Sequence, residues 1–177
     1  LEYFKIRASY GLVGNDRIGG TRFPYVTTIK DGGGGWNGLY GSKTENQVGT
    51  DGLVWEKAKK LDVGLDVHLF KGMVEFTVDY FKDKRDGIFQ QRATVPDEIG
   101  LESLPWANIG SMESHGMDGN ITFTKNWNKD WRTTLRANFT YSRNKVTNWE
   151  QSGIRYSYQS YSGVPYGVQR GLIALGL

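Results

Sequence analysis

Between Leu61 and Lys82, hydrophobic and polar residues alternate through two consecutive runs. Leu61, Val63, Leu65, Val67 and Leu69 are separated by Asp62, Gly64, Asp66 and His68, and Val74, Phe76, Val78 and Tyr80 by Glu75, Thr77 and Asp79. A period of two marks a strand with one apolar and one wet face. Lys71-Gly72 lies between the runs, where a two-residue hairpin turn asks for the positive φ that Gly adopts freely. Pairing Phe70 with Met73 sets Leu69 against Val74, Val67 against Phe76, Leu65 against Val78 and Val63 against Tyr80. One register then collects every large apolar side chain on one face. The other face collects Asp62, Asp66, His68, Glu75, Thr77 and Asp79, too many charges for a sandwich core but suited to the wall of a water-filled lumen.

The same alternation predicts an earlier strand over Phe4, Ile6, Ala8, Tyr10 and Leu12. From Gly14-Asn15-Asp16 to about Gly52 the text is loop-like, with Gly19-Gly20, the run Gly32 to Gly35, Trp36-Asn37-Gly38 and Gly41-Ser42; a connection this long is functional or disordered in a compact domain. Strand character resumes near Leu53. Beyond Tyr80 the alternation blurs at Phe81, and one long strand with a bulge is expected to reach Val95-Pro96. A second loop runs to about Asn108. Met117, Gly119, Ile121, Phe123, Lys125 and Trp127 then alternate with polar residues, Asn128-Lys129-Asp130 reverses the chain, and Trp131, Thr133, Leu135, Ala137, Phe139 and Tyr141 continue the pattern. Pairing Trp127 with Trp131 brings Phe123 opposite Leu135 and Ile121 opposite Ala137. After Val146 the composition returns to that of a loop.

Tight turns therefore fall at one end and long loops at the other, which is the plan of an outer-membrane barrel, with Trp127 and Trp131 where an interfacial aromatic girdle belongs. The expected class is all-β: an antiparallel up-and-down meander of long strands, part of a large transmembrane β-barrel with long external loops. About five strands cannot close a barrel of at least roughly eight, so residues 1–177 read as one partial barrel domain, a fragment of a longer chain. The alternative is a soluble β-rich carbohydrate-binding or adhesion module whose apolar faces pack together.

Composition narrows the chemistry. Gly is 24 of 177 residues and aromatics are 14%, against a usual Gly share of about 7%, which favours strands and turns. Cys is absent, so disulfides and thiolate metal sites are excluded. The net charge of +3 is mild, and the basic runs Lys57-Ala58-Lys59-Lys60 and Lys82-Asp83-Lys84-Arg85 are short and interrupted; nucleic-acid binding would need a concentrated stripe. Asp66, His68 and Glu75 share a face, yet they lie on regular strands with no cleft-forming loop beside them, so a glycan-cleaving acid pair gives way to a charged lumen wall. His68 with Glu75 lacks the third ligand of a metal site. The only histidines are His68 and His115, and no nucleophile-elbow pattern surrounds a Ser. No enzymatic activity and no cofactor are expected. The loop aromatics are the candidates for binding: Trp36, Tyr40 and Trp106 can stack on a sugar while Asn37 hydrogen-bonds its hydroxyls. Tyr156, Tyr158, Tyr161 and Tyr166 in the tail offer the same faces.

Several stretches, in order and spacing, resemble the C-terminal barrel of the SusC/RagA family of TonB-linked outer-membrane transporters. They are Lys5 through Asn15, Arg22-Phe23-Pro24, Trp55-Glu56-Lys57-Ala58, Gly64-Leu65-Asp66, Asp79 through Ile88, Arg92 through Pro96, Asn108-Ile109-Gly110, Asn138 through Ser142 and Gly163 through Gly167. In Gly116-Met117-Asp118, Asp stands where the family pattern suggests Glu. The resemblance implies import of oligosaccharides or peptides across the outer membrane of a Gram-negative bacterium, with loops facing outside. It also implies a SusD-like surface lipoprotein over the barrel mouth, lipid around the barrel, and energy from the TonB complex acting through an upstream part of the chain.

Overall fold

The computed structural model describes residues 1–16, 23–35 and 40–171. Seven strands follow in order: β1 (Tyr3–Asn15), β2 (Thr28–Gly35), β3 (Tyr40–Gln47), β4 (Glu56–Leu69), β5 (Val74–Gln91), β6 (Trp106–Asn126) and β7 (Arg132–Asn148). Short 3-10 turns occupy Asp97–Ile99 and Ser157–Gln159. Five strands form one antiparallel sheet in the order β1-β4-β5-β6-β7, and β2 with β3 forms a separate two-stranded sheet between β1 and β4 in sequence.

The expected registers are observed. Leu69 pairs with Val74, Val67 with Phe76, Leu65 with Val78 and Val63 with Tyr80. In the second hairpin Phe123 pairs with Leu135 and Ile121 with Ala137, and the Trp127 N–H donates to the Trp131 carbonyl at 2.9 Å. Between β4 and β5 the Met73 N–H donates to the Phe70 carbonyl at 3.2 Å. Lys71 and Gly72 have φ of 59° and 73°, the mirror-image turn whose twist matches the flanking strands.

All four interfaces in the large sheet keep one parity. Ile6 pairs with Leu65, Leu65 with Val78, Val78 with Gly119 and Gly119 with Phe139, so a continuous apolar face runs across five strands. Among the described residues nothing packs over it: Ile6 is 64% exposed and Leu135 62%, and the buried hydrophobic side chains are Ala58 and Val146. A sandwich would hide this face under a second sheet. Aromatic residues border it at both ends, with Trp127 and Trp131 near the tight turn and Tyr10, Tyr80 and Tyr141 at the far side. From Trp131 to Tyr141 the chain rises ~33 Å at ~3.3 Å per residue. A tilt of ~40° reduces this to ~25 Å, the height of the apolar band of a membrane barrel.

Three expectations change. The stretch read as loop between Gly14 and Gly52 contains the β2–β3 hairpin, which is wet on both faces and therefore shows no alternation. It is held by main-chain pairing with register shifts near Thr28 and Gly32, by the Asp31–Lys43 ion pair, and by Lys30 at 2.5 Å from Glu102 in the β5–β6 connection. Second, β5 ends at Gln91 rather than near Val95, with the anticipated irregularity lying between Asp86 and Phe89. Third, β6 begins at Trp106 and β4 at Glu56, so Trp106 is a strand residue and strand structure resumes after Leu53.

Candidate functional site

On the polar face, Arg7 of β1 reaches across β4 to β5. Its Nε donates to Asp66 Oδ2 at 3.0 Å, and its Nη2 lies 3.2 Å from Asp66 Oδ1 and 2.8 Å from Asp79 Oδ1. Arg7 and Asp79 both pair with Gly64. A Cβ on Gly64 would lie 2.1 Å from the Asp79 carboxylate and 2.7 Å from Nη2, so the guanidinium crosses β4 where no side chain stands. Asp66, one of the acids a hydrolytic reading would use, is thus committed to a cation. His68 lies opposite Glu75, with the Tyr3 ring 4.8 Å from its own.

Nearer the long connections, the same face turns into a groove. By register it presents Asp83 and Arg85 from β5, Met112 and Ser114 from β6, and Asn144 and Val146 from β7. The segment after β7 folds back over it. The Val146 N–H donates to the Val164 carbonyl and the Gly163 N–H to the Val146 carbonyl, both at 2.8 Å. The Tyr166 N–H donates to Asn144 Oδ1 at 2.8 Å, and the Trp149 N–H to Ser162 Oγ at 3.2 Å. This return encloses a cavity of about 420 Å³ walled by Val146, Trp149, Tyr161, Pro165, Tyr166 and Val168, with the Trp149 and Tyr166 rings 6.3 Å apart.

The aromatic wall adjoins a charged floor. A cavity of about 190 Å³ between Asp83, Arg85, Asn144 and Tyr166 and one of about 180 Å³ reaching Glu56 and Ile88 share residues with the larger one. Arg85 lies 3.5 Å from Asp83 Oδ2 and 3.7 Å from Glu56 Oε1, while Asp83 Oδ1 is buried without a hydrogen-bond partner. Apolar walls with a few convergent polar groups are the usual make-up of a ligand site.

Glu150, next to Trp149, fixes the groove's outer edge. Its carboxylate accepts from the Ala93 N–H at 3.0 Å, the Thr94 N–H at 2.9 Å and Thr94 Oγ1 at 2.5 Å, and pairs with Arg92 Nε at 2.8 Å. Burial alone pushes the Glu150 carboxyl up, but the hydrogen bonds from Thr94, Arg92 and Ala93 outweigh it and bring the pKa from the ordinary 4.5 down to about 2. A depressed carboxylate stabilises the fold above its unfolded pKa, and that contribution disappears as pH falls through its folded value. Hydrogen-exchange protection of the Ala93 and Thr94 amides in the full-length protein is therefore expected to hold down to about pH 4.5 and to fade toward about pH 2. Glu150→Gln, which removes the charge behind these bonds, is expected to lower that protection at neutral pH by tenfold or more, about 1.5–3 kcal/mol. Unchanged protection would show that the connection is held by other contacts.

Of the sequence-derived candidates, Trp36 and Asn37 lie outside the described residues, and Tyr40 opens β3 opposite Gly35. Trp106 stacks on Phe89 with ring centres 5.2 Å apart and planes 14° from parallel, and its carbonyl accepts from Thr50 Oγ1 at 2.8 Å. One face of its ring is thus already used. Tyr161 and Tyr166 line the groove, whereas Tyr156 and Tyr158 stack on each other at 5.5 Å. Sequence reasoning missed Trp149, Asp83 and Arg85. The available signal was Val146, an apolar residue at a polar parity, which announces that something covers it.

A family model described as TonB dependent receptor-like, beta-barrel, matches residues 1–170. TonB-dependent receptor P3 of Formosa agariphila is 32% identical over 151 residues, covering 81% of this chain and 14% of that receptor. TonB-dependent receptor SusC of Bacteroides thetaiotaomicron is 26% identical over 150 residues, covering 83% of this chain and 15% of that receptor. The RagAB peptide importer in its open-open state superposes with a TM-score of 0.67 at 25% identity, over 82% of this chain and 15% of that one. The chain thus spans 14–15% of the length of these relatives.

Proposed function

The chain belongs to the TonB-dependent receptor β-barrel family, and from that premise we propose that the full-length protein imports oligosaccharides or peptides across the outer membrane of a Gram-negative bacterium. In this reading the tight turns face the periplasm and the long connections face outside. A SusD-like lipoprotein covers the mouth, and the TonB complex acts through a part of the protein beyond these residues. The observation that carries the proposal is the uncovered apolar face, bordered by aromatics at both ends and backed by a charged wall. Only a barrel in lipid with water inside satisfies both faces. The likeness to the RagAB peptide importer supports the peptide class, and the oligosaccharide class rests on the resemblance to the SusC/RagA family. The groove under Trp149 and Tyr166 is assigned to solute contact. Trp36, Asn37, Tyr40 and the free face of Trp106 are assigned to contact nearer the mouth.

Expression of the full-length gene product should give a detergent-dependent outer-membrane species whose gel mobility shifts on boiling. Cells carrying it should accumulate labelled oligosaccharides or peptides too large for porins, and should stop when TonB is removed. A soluble, non-shifting product would sink the reading. A shifting product with TonB-independent uptake would leave a barrel but not this importer.

A further inference from the structure

Beyond the level of Tyr80 and Tyr141 the outward face of β4 through β7 turns basic in two cross-strand rows, to which β1 adds Tyr10 and Leu12. On β4 through β7 one row reads Leu61, Lys82, His115, Arg143 and the next reads Lys59, Lys84, Glu113, Lys145. All stand at the parity of the apolar face, and all except Glu113 and Leu61 are charged or titratable as bases. Lys59 sits directly opposite Lys84, an arrangement that is unfavourable unless an anion lies between them. The single acid in the two rows, Glu113, pairs with Lys82 at 2.6 Å while standing opposite Lys84 in register, so one carboxylate faces several cations. Among the described residues, no carboxylate lies within ion-pair distance of Lys59, Lys84, Arg143 or Lys145. On the other face, Arg7, Lys60 and Arg85 all have acidic partners.

We infer that Lys59, Lys82, Lys84, Arg143 and Lys145 form a binding strip for the phosphate groups of an anionic lipid in the leaflet at the loop end of the barrel. This rests on the membrane-spanning reading above. Charge complementarity and position select the occupant. The strip crosses four neighbouring strands immediately above the apolar band, so a molecule whose phosphates meet the lysines places its acyl chains beside Leu61, Val63 and Tyr80. An acidic soluble protein would match the charge but would leave that apolar surface without its chains.

The test uses the full-length receptor in phosphatidylcholine bilayers doped with bisphosphorylated lipid A or with its dephosphorylated form, reading enrichment of each at the protein surface. The phosphorylated lipid is expected to be enriched and the dephosphorylated form not. Lys84→Gln is expected to weaken the enrichment roughly fivefold, and the combined Lys59→Gln, Lys84→Gln and Lys145→Gln variant to abolish it. Lys5→Gln, on the lumen face, should leave it unchanged. Equal enrichment of the two lipids, or full enrichment by the combined variant, overturns the strip. So does a result in which the combined variant loses only an acidic protein partner. Heat-modifiable mobility is read on every sample: if wild type lacks it, the barrel reading has failed, and if it persists without lipid selectivity, only the strip has.

Discussion

Phe76→Arg is expected to remove most of the receptor from the outer membrane, whereas Asn120→Arg, on the opposite face of the neighbouring strand, is expected to leave its level unchanged. Phe76 lies in the row Phe4, Val67, Phe76, Ile121, Ala137, near the middle between the tryptophans at the tight-turn border and the tyrosines at the other. An Arg side chain there meets hydrocarbon at its deepest point and costs about 2–4 kcal/mol, without a border within snorkelling reach. Asn120 pairs with Thr77 and Asn138 and is exposed on the polar face, where a new cation meets water. The measurement is the boiling-dependent gel shift of each variant in isolated outer membranes, with total protein from the same cells. Equal loss of both would mean that neither face is specially placed, and loss of Asn120→Arg alone would mean that the faces are reversed.

That asymmetry is also why so much of the sheet could be read from the chain. Where lipid lies on one side and water on the other, each residue's polarity is dictated by its parity, and the runs from Leu61 to Leu69 and from Val74 to Tyr80 obey it without exception. Register followed because Lys71-Gly72 and Asn128-Lys129-Asp130 leave little freedom in the pairing they close. Legibility stops where the dictation stops. In β2 and β3, Lys30, Asp31, Lys43 and Glu45 meet water on both sides, so no alternation marks the strands, and Gly32 to Gly35 reads as flexible although its backbone is paired in part. The end of β5 is overrun for a different reason: past Gln91 the Ala93 and Thr94 N–H groups donate to the Glu150 carboxylate instead of a neighbouring strand, a partner that no local pattern announces.

The site was legible only through violations of the pattern. Phe81 and Met112 stand at polar parity like Val146. The Phe81 ring covers Gly116 of the next strand, within 2.5 Å of where a Cβ would stand, which accounts for the blurred alternation at that point. Met112 and Val146 lie beneath the returning segment that carries Trp149 and Tyr166. Which segment covers them depends on pairing between Val146 and Gly163-Val164, a contact set by tertiary structure and not by any local period. The acidic anchor Glu150 was invisible for the same reason, since its partners Arg92, Ala93 and Thr94 lie far away in sequence.

Trp149→Ala is expected to weaken solute capture by the full-length receptor about thirtyfold, or ~2 kcal/mol, the scale of a large aromatic removed from the centre of a contact. Trp149→Phe should recover much of it by restoring a flat apolar face. Both variants should keep the gel shift and the protection of Ala93 and Thr94, since Glu150 holds that edge without the indole. Uptake of labelled peptide and oligosaccharide pools reads the effect, and wild-type uptake by Trp149→Ala would move the solute path away from the groove. Arg85→Gln then separates the two substrate classes. Arg85 shares the charged floor with Tyr166 of the aromatic wall and stands between Asp83 and Glu56. A carboxylate of a peptide would draw on its charge, so peptide uptake should fall while its ionic-strength dependence weakens. A neutral oligosaccharide has no charge to lose, and its uptake should respond to Trp149→Ala but not to Arg85→Gln.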